Sequence, residues 1–411
     1  MKRSVLVLGA GMVGTCTAVH LALRGHEVTL VDRLAPGRET SFGNAGIIQR
    51  EAVVPYPFPQ ELSTLARVVL KRGADVNYHL TALPSQAGAL GRYWSNSRPA
   101  RHSVISQAHA RLIEHALSGH QPLIEQAGAH DLVRRDGYRF LFRDPASMEK
   151  ALAQAVALSA SHGVRHRVLD GEALARAEPG LQQRLAGAIH WLDPWSVSDP
   201  GELVDRYAAL LERIGGRIVR GDATTLQQTG SGWLVHTDHG AAVAGHAVVA
   251  LGPWSEALLK ELGYRYPLFV KRGYHRHYRG GTAPRLPAYD VDSGYVLAPM
   301  RQGVRLTTGA EFARVDAPAT PVQLTRAEVL ARQLFELREP VEGRPWVGAR
   351  PCTADMLPVI GPAPRHRGLW FNFGHAHQGF TLGPVSGQLM ADLIEGAAPV
   401  VDPHPYSPAR F

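Results

Sequence analysis

Residues 4–32 read SVLVLGAGMVGTCTAVHLALRGHEVTLVD, and their order decides the fold of the first domain. A buried apolar strand (residues 4–8) runs into Gly9-Ala-Gly11-Met12-Val-Gly14, and residues 12–24 carry apolar side chains at helical spacing. Gly25 and His26 make a turn, residues 27–31 form a second strand, and Asp32 closes it, 23 positions after Gly9. Strand, glycine turn, helix, strand and acid are together the fingerprint of a dinucleotide site. Gly9 permits the tight turn, Gly11 lets the backbone approach a pyrophosphate, and Gly14 lets helix and strand pack closely. The helix N-terminus offers unpaired N–H groups and partial positive charge. Asp32 is placed to accept the hydroxyls of an adenosine ribose. Met12 and Arg33 flank the two contacts. This unit alone does not separate FAD from NAD.

The next segment tips the balance toward FAD. Residues 39–48, ETSFGNAGII, form a loop of small residues where an NAD domain would run into another strand–helix crossover. Ser41, Asn44, Ala45 and Gly46 suit close contact with a ribityl chain and an isoalloxazine ring.

Composition sets wider bounds. A chain of 411 residues implies about two or three domains. Apolar residues make up 45%, enough for sizeable cores, and charged residues only 19%. The net charge of +8 is spread over 44 basic and 36 acidic residues without a long run of one sign, so nucleic acid is not implied. Two cysteines, Cys16 and Cys352, exclude a disulfide framework and a cysteine-based zinc site. The histidines are scattered, and no pattern calls for a metal. No apolar stretch is long enough to span a membrane. The basic start followed by an apolar run is broken at once by glycines, so residues 4–31 read as a folded element and not as a cleaved signal.

Further along, residues 62–70 form a short amphipathic helix ending in Lys71 and Arg72, and 102–127 read as one or two helices. Residues 137–142 are a strand, 148–161 a helix, and Asp199-Pro200 starts a helix running to 213. Residues 246–254, HAVVALGPW, are a buried strand ending in Gly252 where a helix begins, a crossing point that commonly touches a dinucleotide. Residues 269–278, 293–299 and 304–311 read as a mostly antiparallel sheet with a hairpin turn at 300–303. Near the end, a strand at 369–373 opens into Gly374-His-Ala-His-Gln-Gly379-Phe380-Thr381 and a helix to about 394. Gly374 and Gly379 allow close approach to a flavin, and the helix N-terminus would stabilise its reduced, anionic edge.

The expected architecture is α/β. A discontinuous Rossmann-like FAD-binding domain (1–50, 145–255 and 345–411) stands beside an α+β substrate-binding domain (51–144 and 256–344) with a mainly antiparallel sheet.

The strings VLGAGMVG with GHEVTLVD, SFGNAGII, KRGY, GARPCTADMLPVIG and GHAHQGFTLGP span residues 5–387. Through them the chain resembles the D-amino-acid oxidase and glycine oxidase superfamily of flavin amine oxidoreductases, and within it the bacterial D-amino-acid dehydrogenases. The resemblance implies FAD and oxidation of a carbon–nitrogen bond next to a carboxylate. The expected substrates are D-amino acids, D-proline and hydroxy-D-proline among them. A hydride would pass from the α-carbon to flavin N5, and electrons would go on to a quinone or another respiratory carrier. Oxygen-using glycine or sarcosine oxidases and a non-catalytic flavoprotein are the alternatives. Where the family pattern is GHGxxGWT, this chain has Ala376 and Phe380, and His377 adds an imidazole.

Arg350 is the expected carboxylate ligand, because a guanidinium matches a carboxylate in a bidentate fork. Tyr274 and Tyr295 are expected on the pocket sheet, and His375 and His377 in the flavin loop; Arg50 and His275 are weaker candidates. No residue is assigned as a catalytic base, since solvent can take the amine proton. A cytoplasmic protein is expected, with the basic end of the 62–72 helix touching anionic lipid. No obligate protein partner is implied.

Overall fold

The computed structural model describes residues 1–61 and 76–411. The segment expected to touch a membrane, residues 62–72, therefore lies outside the described residues. No described helix is long and apolar enough to cross a membrane.

Two large sheets carry the chain. The first has eight strands in the order Gly240–Ala244, Gly232–Thr237, Arg217–Thr229, Glu27–Asp32, Ser4–Leu8, His246–Val249, Leu369–Phe373 and Val359–Pro362. Its five central strands, from Arg217–Thr229 to Leu369–Phe373, run parallel. The edges are antiparallel. Arg217–Thr229 is 13 residues long and serves both patterns. Arg217 to Arg220 pair with the parallel core, and the rest forms a hairpin with Gly232–Thr237.

One face of this sheet is covered by the helices Met12–Leu23, Pro200–Arg213, Gly379–Glu395 and Ala116–Ala127, whose apolar residues join one core. Helix Pro200–Arg213 starts as its sequence predicts, with Asp199 accepting from the Glu202 amide at 3.0 Å and proline in the first turn. Met12–Leu23 and Gly379–Glu395 touch along most of their length. A Cβ at Gly383 would lie 2.5 Å from Met12 Cγ, and one at Gly387 would lie 2.7 Å from the backbone of Cys16 and Thr17. Glycine at these two positions is what brings the first and last helices into backbone contact.

The second sheet centres on Leu268–Arg279, which pairs antiparallel with Gly303–Thr307, Ala310–Phe312, Glu339–Pro340 and Trp346–Thr353. The predicted hairpin is present, closed by Met300 opposite Gly303. Three segments lie elsewhere than expected. Strands His166–Asp170 and Gly187–Trp191 were expected with the nucleotide unit but lie in the second sheet, where Gly187–Trp191 pairs with Tyr138–Phe142 on one side and His166–Asp170 on the other. Trp346–Thr353 also belongs to that sheet. Conversely, helices Pro99–Glu114 and Ala116–Ala127 pack on Gly379–Glu395 of the first unit. Apolar periodicity specifies a strand or a helix, but the neighbour it pairs with is set by distant residues.

The helix contact yields a stability test. Gly387→Val should lower the urea midpoint by an amount equivalent to roughly 1–3 kcal/mol of overpacking. Gly88→Ala, where a new methyl meets nothing within 4 Å in helix Leu83–Asn96, should be neutral or stabilising. Equal midpoints for both variants would show that the close approach is not required.

Candidate active site

A cavity of about 670 Å³ lies between the two sheets, within the range of ligand sites. One end is built by the amino-terminal unit. Gly9 has φ +105° and a Cβ there would lie 2.5 Å from Ala250 O, while a Cβ at Gly14 would lie 1.8 Å from Gly9 O. The turn is thus closed to any larger residue. Asp32 Oδ2 accepts from the Ala10 amide at 2.6 Å and Oδ1 from Leu34 at 3.0 Å, which fixes the carboxylate at the rim. Ser41 Oγ accepts from Met12 N at 2.9 Å, tying the 39–48 loop to the helix N-terminus. Arg33 pairs with Glu39 at 2.6 Å and lies over the Trp254 ring at 4.5 Å.

Gly9, Gly11, Met12, Asp32, Arg33, Ser41, Asn44, Ala45, Gly252, Gly374, Gly379 and Phe380 all line the cavity. Gly14, Gly46 and Thr381 stand behind it. The Gly46 amide donates to Asn44 Oδ1 at 2.8 Å, and Thr381 Oγ1 accepts from Gln49 N at 3.2 Å. Ala376 holds φ +51° in the carboxyl-terminal loop, a left-handed conformation that is strained for alanine.

At the far end Arg350 faces the cavity. Its Nη1 donates to Gly309 O at 2.9 Å and Nη2 to Thr308 O at 3.3 Å, and it has no carboxylate partner among the described residues. Its strand neighbour is Lys271. Lys271 Nζ lies 3.1 Å from Tyr93 Oη and over the Tyr93 ring at 4.5 Å. His377 lies against Tyr56, the rings tilted with centroids 5.1 Å apart. Gln378 Nε2 donates to His377 Nε2 and to Gln49 Oε1, both at 2.9 Å, and Gln49 donates to buried Glu51 at 2.6 Å. Burial, together with Arg350 and Lys271, holds the His377 pKa down at about 3.

The remaining candidates separate. His375 is buried against Ser386 Oγ at 2.9 Å, its pKa lowered by burial to about 3, and it lines the cavity. Tyr274 does not reach the cavity. Its hydroxyl donates to Glu311 at 2.8 Å on the opposite face of the sheet, because Phe269, Lys271 and Gly273 take the cavity side of the period-two strand. Tyr295 borders the cavity, but its hydroxyl is turned to Arg143 at 3.3 Å. Arg50 points to His162 O at 2.9 Å, away from the site. His275 stacks on Trp346, with centroids 4.7 Å apart, outside the cavity lining. Its neighbours His277 and Glu342 bring ligand-type atoms within 4.8 Å. There Arg305 Nε donates to His277 Nε2 at 2.9 Å, while Nδ1 of the same ring meets Glu342.

Sequence reasoning missed Lys271, Tyr56, Tyr93, Phe269 and Phe312. The signal was present in the alternation of 269–273, but the opposite strand that makes Lys271 a neighbour of Arg350 lies about 80 residues away.

Sheet order, glycine turn and a long cavity capped by a second sheet define a dinucleotide-dependent oxidoreductase architecture. The chain matches the family described as DAO, FAD dependent oxidoreductase, over residues 4–393, and it belongs to that family. It is 32% identical to a D-amino acid dehydrogenase of Chromohalobacter salexigens, with 99% of each chain covered. It is 30% identical to a D-amino-acid oxidase of Bradyrhizobium diazoefficiens, covering 100% of this chain and 99% of the other. Its fold is similar to glycine oxidase from Geobacillus kaustophilus (TM-score 0.72, 22% identity, 100% of both chains). It is also similar to L-amino acid deaminase from Proteus myxofaciens (TM-score 0.74, 19% identity, 100% of this chain and 94% of the other).

Buried histidines give the molecule a defined acid limit. Burial lowers His20, His109 and His120 from 6.5 to about 4, and His375 and His377 to about 3. Each is neutral in the fold, whereas the unfolded chain takes up its protons first as pH drops. Their stabilising contribution is therefore complete above pH 6.5 and is lost as pH falls toward about 4 and below. The urea midpoint should decline steadily across that window; a flat profile would contradict it.

Proposed function

We propose that the protein oxidises D-amino acids at the α-carbon–nitrogen bond and passes the electrons to a quinone or another respiratory carrier. The observation that carries this reading is Arg350, a guanidinium facing the cavity whose hydrogen-bond partners among the described residues are two backbone carbonyls. A substrate carboxylate supplies the missing anion in a bidentate fork. The D preference and the dehydrogenase reading rest on the relatives named above.

The glycine turn, Asp32 and the 39–48 loop would hold FAD, with the pyrophosphate at the start of helix Met12–Leu23 and the ring toward residues 374–380. FAD supplies the two-electron acceptor when bound. The chain's own part is to bind and orient. Arg350 fixes the carboxylate, and His377 and Tyr56 offer polar groups for the amine or carboxylate. Neutral His377 adds no positive charge that would repel an incoming substrate ammonium, whose proton then passes to solvent. The resulting imine hydrolyses to a 2-oxo acid and ammonia, and a cyclic secondary amine such as D-proline would give a cyclic imine.

Anaerobic bleaching of the flavin by a panel of D- and L-amino acids tests the reading. Arg350→Met should raise the substrate dissociation constant at least about 30-fold, the loss expected of a desolvated charge pair, while FAD stays bound. An unchanged constant removes Arg350 from the site. Reoxidation should be faster with a soluble quinone analogue than with oxygen at matched concentration. Rapid formation of stoichiometric hydrogen peroxide would instead assign an oxidase, as the D-amino-acid oxidase relative suggests.

A further inference from the structure

Lys271 and Arg350 are paired across the antiparallel strands Leu268–Arg279 and Trp346–Thr353. Directly opposed residues share one face, with Cβ atoms about 5 Å apart, and like charges so placed destabilise a sheet. Here that face is the wall of the cavity. Neither cation has a carboxylate partner among the described residues. Lys271 Nζ meets the Tyr93 hydroxyl at 3.1 Å and lies 5.5 and 5.6 Å from the Phe269 and Phe312 rings. Aromatic faces offset only part of an ammonium's lost hydration.

Among the described residues, the acidic ones that line the cavity are Asp32, Glu39 and Asp222, all at the nucleotide end. They are engaged there by Ala10 and Leu34, by Arg33, and by Thr224 respectively. Glu311 is on the reverse face, paired with Arg272, and Asp355 pairs with Arg410. Among the described residues, the lining of the substrate end thus carries two cations and no carboxylate.

We infer that the site selects amino acids bearing a second carboxylate, with the α-carboxylate on Arg350 and the side-chain carboxylate on Lys271. One α-carboxylate balances one of the two charges, whereas a dicarboxylic amino acid such as D-aspartate or D-glutamate balances both. Tyr93, Phe269 and Phe312 form a collar that holds the ammonium in place and covers the substrate methylenes. This inference rests on the proposed amino-acid oxidation and names its substrate class.

The test compares D-aspartate and D-glutamate with their isosteric amides, D-asparagine and D-glutamine, by anaerobic stopped-flow reduction of the FAD-loaded protein. The acids should exceed the amides by at least about tenfold in reduction rate over dissociation constant. Lys271→Met should cut that ratio about tenfold or more, Lys271→Arg should restore it, and Lys271→Glu should turn preference toward D-lysine. A wild-type ratio near one, or a ratio unchanged in Lys271→Met, overturns the inference while amino-acid oxidation stands. Equal losses on acids and amides would place both cations on the α-carboxylate and overturn it as well. Should no amino acid reduce the flavin, the proposed oxidation fails, and glutarate against butyrate titrated by flavin absorbance decides the dicarboxylate site. Tighter glutarate binding that Lys271→Met abolishes supports it; equal affinities defeat it.

Discussion

The contact between the first and last helices organises the molecule. Because Gly383 and Gly387 present no side chain, Gly379–Glu395 lies directly on the backbone of Met12–Leu23. Each helix begins where its loop meets the cavity, at Gly11 and at Gly379. A methyl group inserted between them would move one helix start relative to the other. His120 reinforces the arrangement from behind, with one ring nitrogen 3.0 Å from the Tyr207 hydroxyl and the other 3.0 Å from Phe380 O.

Much of this was legible in the sequence, and the boundary of what was legible has a physical cause. The unit from Ser4 to Asp32 is local: strand, turn, helix and acid are close in the chain and fix one another through backbone geometry. The 39–48 and 374–381 loops announced themselves through residues too small for an ordinary surface turn. The sheet that caps the cavity was legible as strands but not as partners. Tyr274 illustrates the cost. Its place on a pocket strand was right and its face was wrong, since a period of two leaves the choice of face to the packing on either side. Tyr295 does line the cavity, but its hydroxyl is drawn toward Arg143, whose charge pair with Asp290 is assembled from distant segments.

The two ends of the cavity show opposite electrostatic designs. At the nucleotide end each charge is already answered, Arg33 by Glu39 and Asp32 by two amides. At the other end Arg350 and Lys271 face the space without a carboxylate among the described residues, and His377 is held neutral by burial and, to a lesser degree, by these two cations. The reverse face of the same sheet carries the closed pair Arg272 and Glu311, joined at 2.6 Å. Charges that serve only the fold are thus paired on one side, and those left for a ligand stand on the other.

The sheet order also dictates when the molecule can assemble. Ser4–Leu8 sits two places from Leu369–Phe373, and helix Met12–Leu23 is covered by residues 379–395. During synthesis the amino-terminal strand and helix emerge early yet lack the surface that buries them until almost the whole chain has left the ribosome. Such long-range closure slows folding and leaves an apolar helix face exposed meanwhile. A nascent chain stalled before residue 379 would therefore be a natural client for chaperones, whatever the stability of the finished fold.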